Sequence, residues 1–179
     1  MLRRSLWAAP AALALAAPAL ARPAKLKVPP PPPPPPTGGV ALIGAWQLVS
    51  AETMGADGAA TPALGGQASG QLIYDHSGQM SLQIVGERPA VGTVEDYQAL
   101  RPAERMVFLD TYYAYFGRFE VDMAARVVTH RVRASLRPNE IGISYRRQFL
   151  IEGDRLTLAS LPERHGGETL MSRLIFVRA

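Results

Sequence analysis

The chain of 179 residues contains no cysteine, so disulfides and thiolate chemistry are excluded and stability rests on packing alone. Lysine is almost absent: Lys25 and Lys27 are the only two, and both lie near the N-terminus. The formal charge of +4 is therefore misleading. From residue 40 onward there are 14 arginines against 15 acidic residues, a net of about −1, and this is not the charge pattern of a nucleic-acid binder. Only three histidines occur (His76, His130 and His165), with no metal-ligand spacing among them. Also missing are a Gly-x-Ser-x-Gly elbow, a glycine-rich phosphate loop opening a helix, and an obvious pair of catalytic carboxylates. The reading is of a chain with no metal site and no cofactor.

The N-terminus is more informative. Arg3 and Arg4 precede an apolar run at 6–20 rich in Ala and Leu, and Ala19-Leu20-Ala21 offers small residues for cleavage. The run is short for a bilayer span, so residues 1–21 read as a secretory signal. No cysteine follows for lipid attachment, and no stable membrane insertion is expected after cleavage. The expected location is the periplasm or the exterior. Residues 22–39 read as a Pro-rich linker, with eight consecutive prolines at 29–36. Proline fixes φ and has no N–H, so the run forms a polyproline II rod about 25 Å long. Residues 40–179 remain for one domain, which is enough chain for a single core.

Within that domain, alternation with period two recurs. It predicts strands at 43–54, 69–75, 78–85, 117–122, 126–134, 141–152, 155–160 and 169–178. Turn residues separate them: Asp75-His76-Ser77-Gly78, Asp122-Met123-Ala124-Ala125 and Gly153-Asp154. Eight strands with short links predict an all-β, antiparallel up-and-down barrel, which leaves no exposed edge. A helical insertion at 93–116 interrupts them. Thr93 and Asp96 form a capping box, and Pro102 suits the first turn of a second helix. Met106, Leu109, Tyr113 and Phe116 recur at helical spacing, which predicts a stripe packed on the barrel wall or over one mouth.

A distributed set of residues carries a resemblance. It comprises Leu42-Ile-Gly-Ala-Trp-Gln-Leu-Val-Ser50, Gly70-Gln-Leu-Ile-Tyr74, Ser77-Gly-Gln-Met-Ser81 and Tyr115-Phe-Gly-Arg-Phe-Glu-Val121. His130, Pro138, Asn139, Gly142 and Ser172-Arg-Leu-Ile-Phe176 complete it. Over about 42–178 the chain resembles the bacterial lipocalin-like domain family, a calycin-type small β-barrel. The resemblance implies an antiparallel barrel and small-molecule binding, and it implies no reaction. It also implies that Trp46, beside Gly44, closes one end beneath an arginine of the last strand, Arg173 or Arg178. These residues belong to the fold and not to a site.

The strongest chemical candidates come from strand parity. On the fifth predicted strand Val128, His130, Val132 and Ala134 share the apolar face, so His130 points inward. On the sixth, Ile141, Ile143, Tyr145, Arg147, Phe149 and Ile151 share a face, so Tyr145 and Arg147 also point inward. With 135–140 as the connecting loop, His130 falls opposite Tyr145, and Arg147 becomes its diagonal neighbour. Tyr74 shares a face with Leu72 and reaches the same interior. A buried arginine without a carboxylate is costly, and Glu120 and Asp122 alternate outward. Arg147 then snorkels to a mouth, joins a water-bridged network with His130 and Tyr145, or meets an anionic visitor. Three functions are open. One is a barrel binding a small hydrophobic or amphipathic, acidic ligand through Arg147, His130, Tyr145 and Tyr74. The second is a cofactor-free isomerase or cyclase using His130 with Tyr145, marked by a solvent-reachable His130 that titrates near neutrality. The third is a protein-interaction module, marked by a large exposed apolar patch.

Overall fold

The computed structural model describes residues 37–165 and 168–179. The expected signal segment and most of the linker lie outside the described residues. A 3-10 turn at Thr37–Leu42 runs across the expected linker boundary and leads into the first strand. Ten antiparallel strands follow: β1 (Gly44–Met54), β2 (Ala60–Pro62), β3 (Ser69–Tyr74), β4 (Gln79–Val85), β5 (Tyr112–Asp122), β6 (Val127–Ser135), β7 (Ser144–Glu152), β8 (Arg155–Ser160), β9 (Glu163–His165) and β10 (Glu168–Arg178). Eight of them form the barrel in the order β1-β3-β4-β5-β6-β7-β8-β10, and β10 pairs back onto β1 to close it. The three-residue strands β2 and β9 extend the hairpins beside β1 and β10. Closure satisfies the backbone groups that an open sheet would leave unpaired.

The inward residues of all eight long strands merge into one apolar cluster, which includes Leu72, Leu82, Phe119, Phe149, Leu158 and Phe176. Alternation is clear in β4, where Met80, Leu82 and Ile84 are buried and their neighbours are less so. The Asp75 turn forms as its residues demand: the Asp75 carboxylate accepts from the Ser77 N–H at 2.6 Å.

Two departures from expectation share one cause. β5 starts at Tyr112, five residues before the expected 117, because the helices stop earlier. Helix α1 (Val94–Ala99) has the expected capping box: Thr93 Oγ1 accepts from Asp96 N at 3.0 Å, and Asp96 Oδ2 accepts from Thr93 N at 3.2 Å. Helix α2 (Pro102–Asp110) ends where Thr111 caps it. The stripe that joined Met106 and Leu109 to Tyr113 and Phe116 is therefore broken. Residues 112–116 fit both periods, and strand pairing to β4 wins. Tyr113 turns inward, while Phe116 points out with 54% of its surface exposed. The expected burial of the helices is also corrected, since neither has a buried residue. They pack on each other instead, with the Tyr97 and Phe108 rings 5.7 Å apart. No helix among the described residues is long and apolar enough to cross a membrane.

Between Phe116 and Gly117 the register shifts by one residue, because Arg133 of β6 is left unpaired in a bulge. A Cβ on Gly117 would overlap the carbonyl oxygen of Arg131, so the bulge admits only glycine.

Candidate functional site

The two ends of the barrel differ in chemistry. At the end where β1 begins, Trp46 is fully buried and its indole N–H donates to the Leu42 carbonyl at 2.8 Å. The Arg178 guanidinium lies 4.2 Å from the indole centroid. It donates to the carbonyls of Ala41 at 2.9 Å and Ile43 at 3.1 Å. Gly44 sits at φ +132°, where side chains are disfavoured, and a Cβ there would meet the Arg178 guanidinium. Arg178 is thus the arginine that closes this end. Arg173 is not: it faces outward on β10 and donates to Glu52 at 2.6 Å.

Midway along the barrel, burial encloses a polar relay. The register pairs His130 with Tyr145 across β6 and β7, as strand parity requires. The deeper partners of His130 are phenols. Tyr74 Oη lies 2.6 Å from Nε2, and Tyr115 Oη lies 2.7 Å from Nδ1. All three side chains are buried. A neutral imidazole has one N–H and one lone pair, so it donates to one phenol oxygen and accepts from the other O–H. Burial, followed by the field of Arg147, pushes the His130 pKa well below the usual histidine range. Burial raises those of Tyr74 and Tyr115. The relay is neutral and buried. It gives His130 no solvent access, so the mark expected of an acid–base histidine is missing.

Arg147 stands differently. On β7 it pairs with Val128 of β6 on one side and Ser160 of β8 on the other. One Nη donates to Ser172 Oγ at 3.0 Å. The Ser172 N–H donates to Ser160 Oγ at 2.9 Å, which draws the two serines together. Arg147 is only 6% exposed, and its Nε is buried with no hydrogen-bond partner. Its guanidinium carbon lies 5.6 Å from the Tyr145 ring centroid. Among the residues whose side chains are described, no carboxylate pairs with it. Glu120 is engaged with Arg131 on the outer surface, and Glu140, buried at 6% exposure, receives the Ser135 hydroxyl at 2.8 Å.

Arg147 also lines an open cleft of about 450 Å³ at the far end of the barrel. The cleft is shared with Thr53, Tyr145, Arg146, Ser160, Leu170, Met171 and Ser172. The structure thus divides the four inward residues read from the sequence. Tyr145 and Arg147 face the cleft, whereas His130 and Tyr74 lie sealed behind it. Parity reasoning missed Tyr115, because the strand that carries it was placed two residues too late. It also passed over Thr53, Ser160 and Ser172, whose small hydroxyl side chains stand out only once register aligns them.

A closed, eight-stranded antiparallel barrel with one arginine-capped end and one polar, open end is the architecture of the lipocalin-like class of β-barrel. The lipocalin-like domain model matches residues 43–179, and the chain belongs to that family. No curated protein matches the sequence.

Proposed function

We propose that this is an exported lipocalin-like protein that binds a small, partly apolar, acidic molecule at the open end of its barrel. One observation carries the reading: Arg147 is buried, positively charged and short of an acceptor at Nε, and it faces a cleft of ligand size. Arginine stays charged at every physiological pH, and its planar edge suits an oxyanion. Tyr145, Leu170 and Met171 supply apolar surface beside it. The sealed relay of His130 with Tyr74 and Tyr115 gives the isomerase reading no support. Export rests on the N-terminal pattern of residues 1–21.

The test is native mass spectrometry of the protein purified gently from an exporting host. A bound mass present in the wild type and lost in Arg147→Ala is the expected outcome. A clean apo mass, with no acidic compound shifting the melting temperature, removes the proposal. A second reading, an interaction module, draws on the exposed Tyr97, Met106 and Leu109 of the helices.

A further inference from the structure

The register around Arg147 restricts what the cleft can hold. On β7 the next inward residue below Arg147 is Phe149, and across the neighbouring strands the same level is filled by Leu158, Leu174 and Ala51. All four are buried and close the barrel beneath the guanidinium. Arg147 is therefore the floor of the cleft and not a group halfway down a tunnel. Tyr145, the inward residue two positions nearer the mouth, is half-buried and forms the rim. Two residues of strand separate floor from rim, about 7 Å. Apolar surface lines the sides of the cleft near this rim, at Tyr145, Leu170 and Met171, while the hydroxyls of Ser160 and Ser172 lie level with the guanidinium.

We infer that the ligand is a short monocarboxylate that enters head first. Its carboxylate takes the edge of the Arg147 guanidinium that lines the cleft, together with the Ser172 hydroxyl, and its ring or short alkyl group lies between Tyr145 and Leu170. This inference rests on the acidic-ligand reading above and narrows it to a ligand class and an orientation. Polarity decides the orientation. A tail pushed inward would meet a filled core and leave the carboxylate in solvent, with Arg147 still unpaired. The planar donors of the guanidinium match the two oxygens of a carboxylate. A long-chain fatty acid gains nothing here, because methylenes beyond the rim stay in water.

The experiment is a titration of the full chain, by calorimetry and amide NMR, with benzoate, hexanoate, octanoate, decanoate and dodecanoate. Benzamide and hexanamide serve as neutral controls. Expected are saturable carboxylate binding, at least tenfold weaker amide binding, and shifts centred on Tyr145, Ser160 and Ser172. Affinity is expected to level off beyond octanoate. Arg147→Lys keeps the charge but removes the planar guanidinium fork, and is expected to weaken benzoate at least tenfold. Ser172→Ala, a mild change at the cleft edge, is expected to weaken it severalfold. An affinity that keeps rising about fourfold per methylene through dodecanoate overturns the short, head-first ligand while leaving an acidic ligand in place, since a buried methylene contributes about 0.8 kcal/mol. Amides binding as well as acids, or no saturable binding by any acid, overturns this inference and the parent reading together.

Discussion

Mild acid should destabilise this domain through His130, and the sign follows from the geometry. Both ring nitrogens are occupied by buried phenols, 2.6 and 2.7 Å away, and Arg147 adds positive charge nearby. The folded-state pKa is depressed, so the folded protein refuses a proton that the unfolded chain accepts. Stability from this group is fully present above the unfolded pKa of about 6.5 and is lost as pH falls below it, by up to about 1.36 kcal/mol per pH unit. Between pH 7 and pH 5.5 the loss comes to about 1.3 kcal/mol, provided that His130 stays neutral in the folded state throughout. The window is well separated from the carboxylates. Hydrogen bonds from Ser77, Arg101 and Arg131 lower the pKa values of Asp75, Glu104 and Glu120, so their contributions persist above about pH 4.5. Urea unfolding at half-unit steps from pH 7 to 5.5 measures the slope. His130→Gln keeps a donor and an acceptor between the phenols but cannot titrate, and most of the slope should vanish in it. An equal slope in wild type and variant, or a flat wild-type profile, would refute the neutral relay.

Four further substitutions test the remaining structure. Arg147→Met replaces a buried, underpaired charge with an apolar side chain of similar length. It should leave stability unchanged or raise it by about 1 kcal/mol while abolishing carboxylate binding, and a large loss of stability would mean that Arg147 is held by a structural partner. Gly117→Ala drives a methyl group into the Arg131 carbonyl beside the β6 bulge, and urea unfolding should show a loss of at least about 2 kcal/mol. Arg178→Ala removes the cation over Trp46 and two backbone hydrogen bonds, and should cost about 1–2 kcal/mol. Arg173→Ala, whose partner Glu52 sits on the outer wall, should cost no more than about 1 kcal/mol, and a larger loss than in Arg178→Ala would reverse the assignment of the closed end.

Much of the barrel was legible because its strands alternate cleanly and its turns use the expected residues. Leu72 and Tyr74, or Met80, Leu82 and Ile84, permit only one register if the core is to stay apolar. The reading failed where two periodicities coincide. Residues 112–116 satisfy a helical stripe and a strand alike, and only pairing with residues 81–85 of β4 decides between them. That single shift hid Tyr115, which shares the inward face with Gly117 and Phe119 once the strand is extended. The two outermost strands, β2 and β9, have three residues each, too few for a periodic signal. The choice between Arg173 and Arg178 was within reach of local pattern, because Arg178 shares the face of Leu174 and Phe176 on β10 and Arg173 lies on the other.

The candidate site shows how far parity carries an argument about chemistry. Alternation turned His130, Tyr145 and Arg147 to one interior, but enclosure and not facing separates their roles. His130 is met on both sides by tyrosines from β3 and β5, so its polar needs are satisfied within the protein. Arg147 lies one pair of inward residues nearer the mouth than Phe149 and meets serines, which satisfy only part of its donor set. A buried polar group with every partner in place stabilises one structure; a buried charge with a partner missing beside an open cleft is more stable when something else supplies that partner. The barrel interior thus holds a sealed histidine and, beside it, an arginine that opens on a cleft, and the proposed binding rests on the arginine.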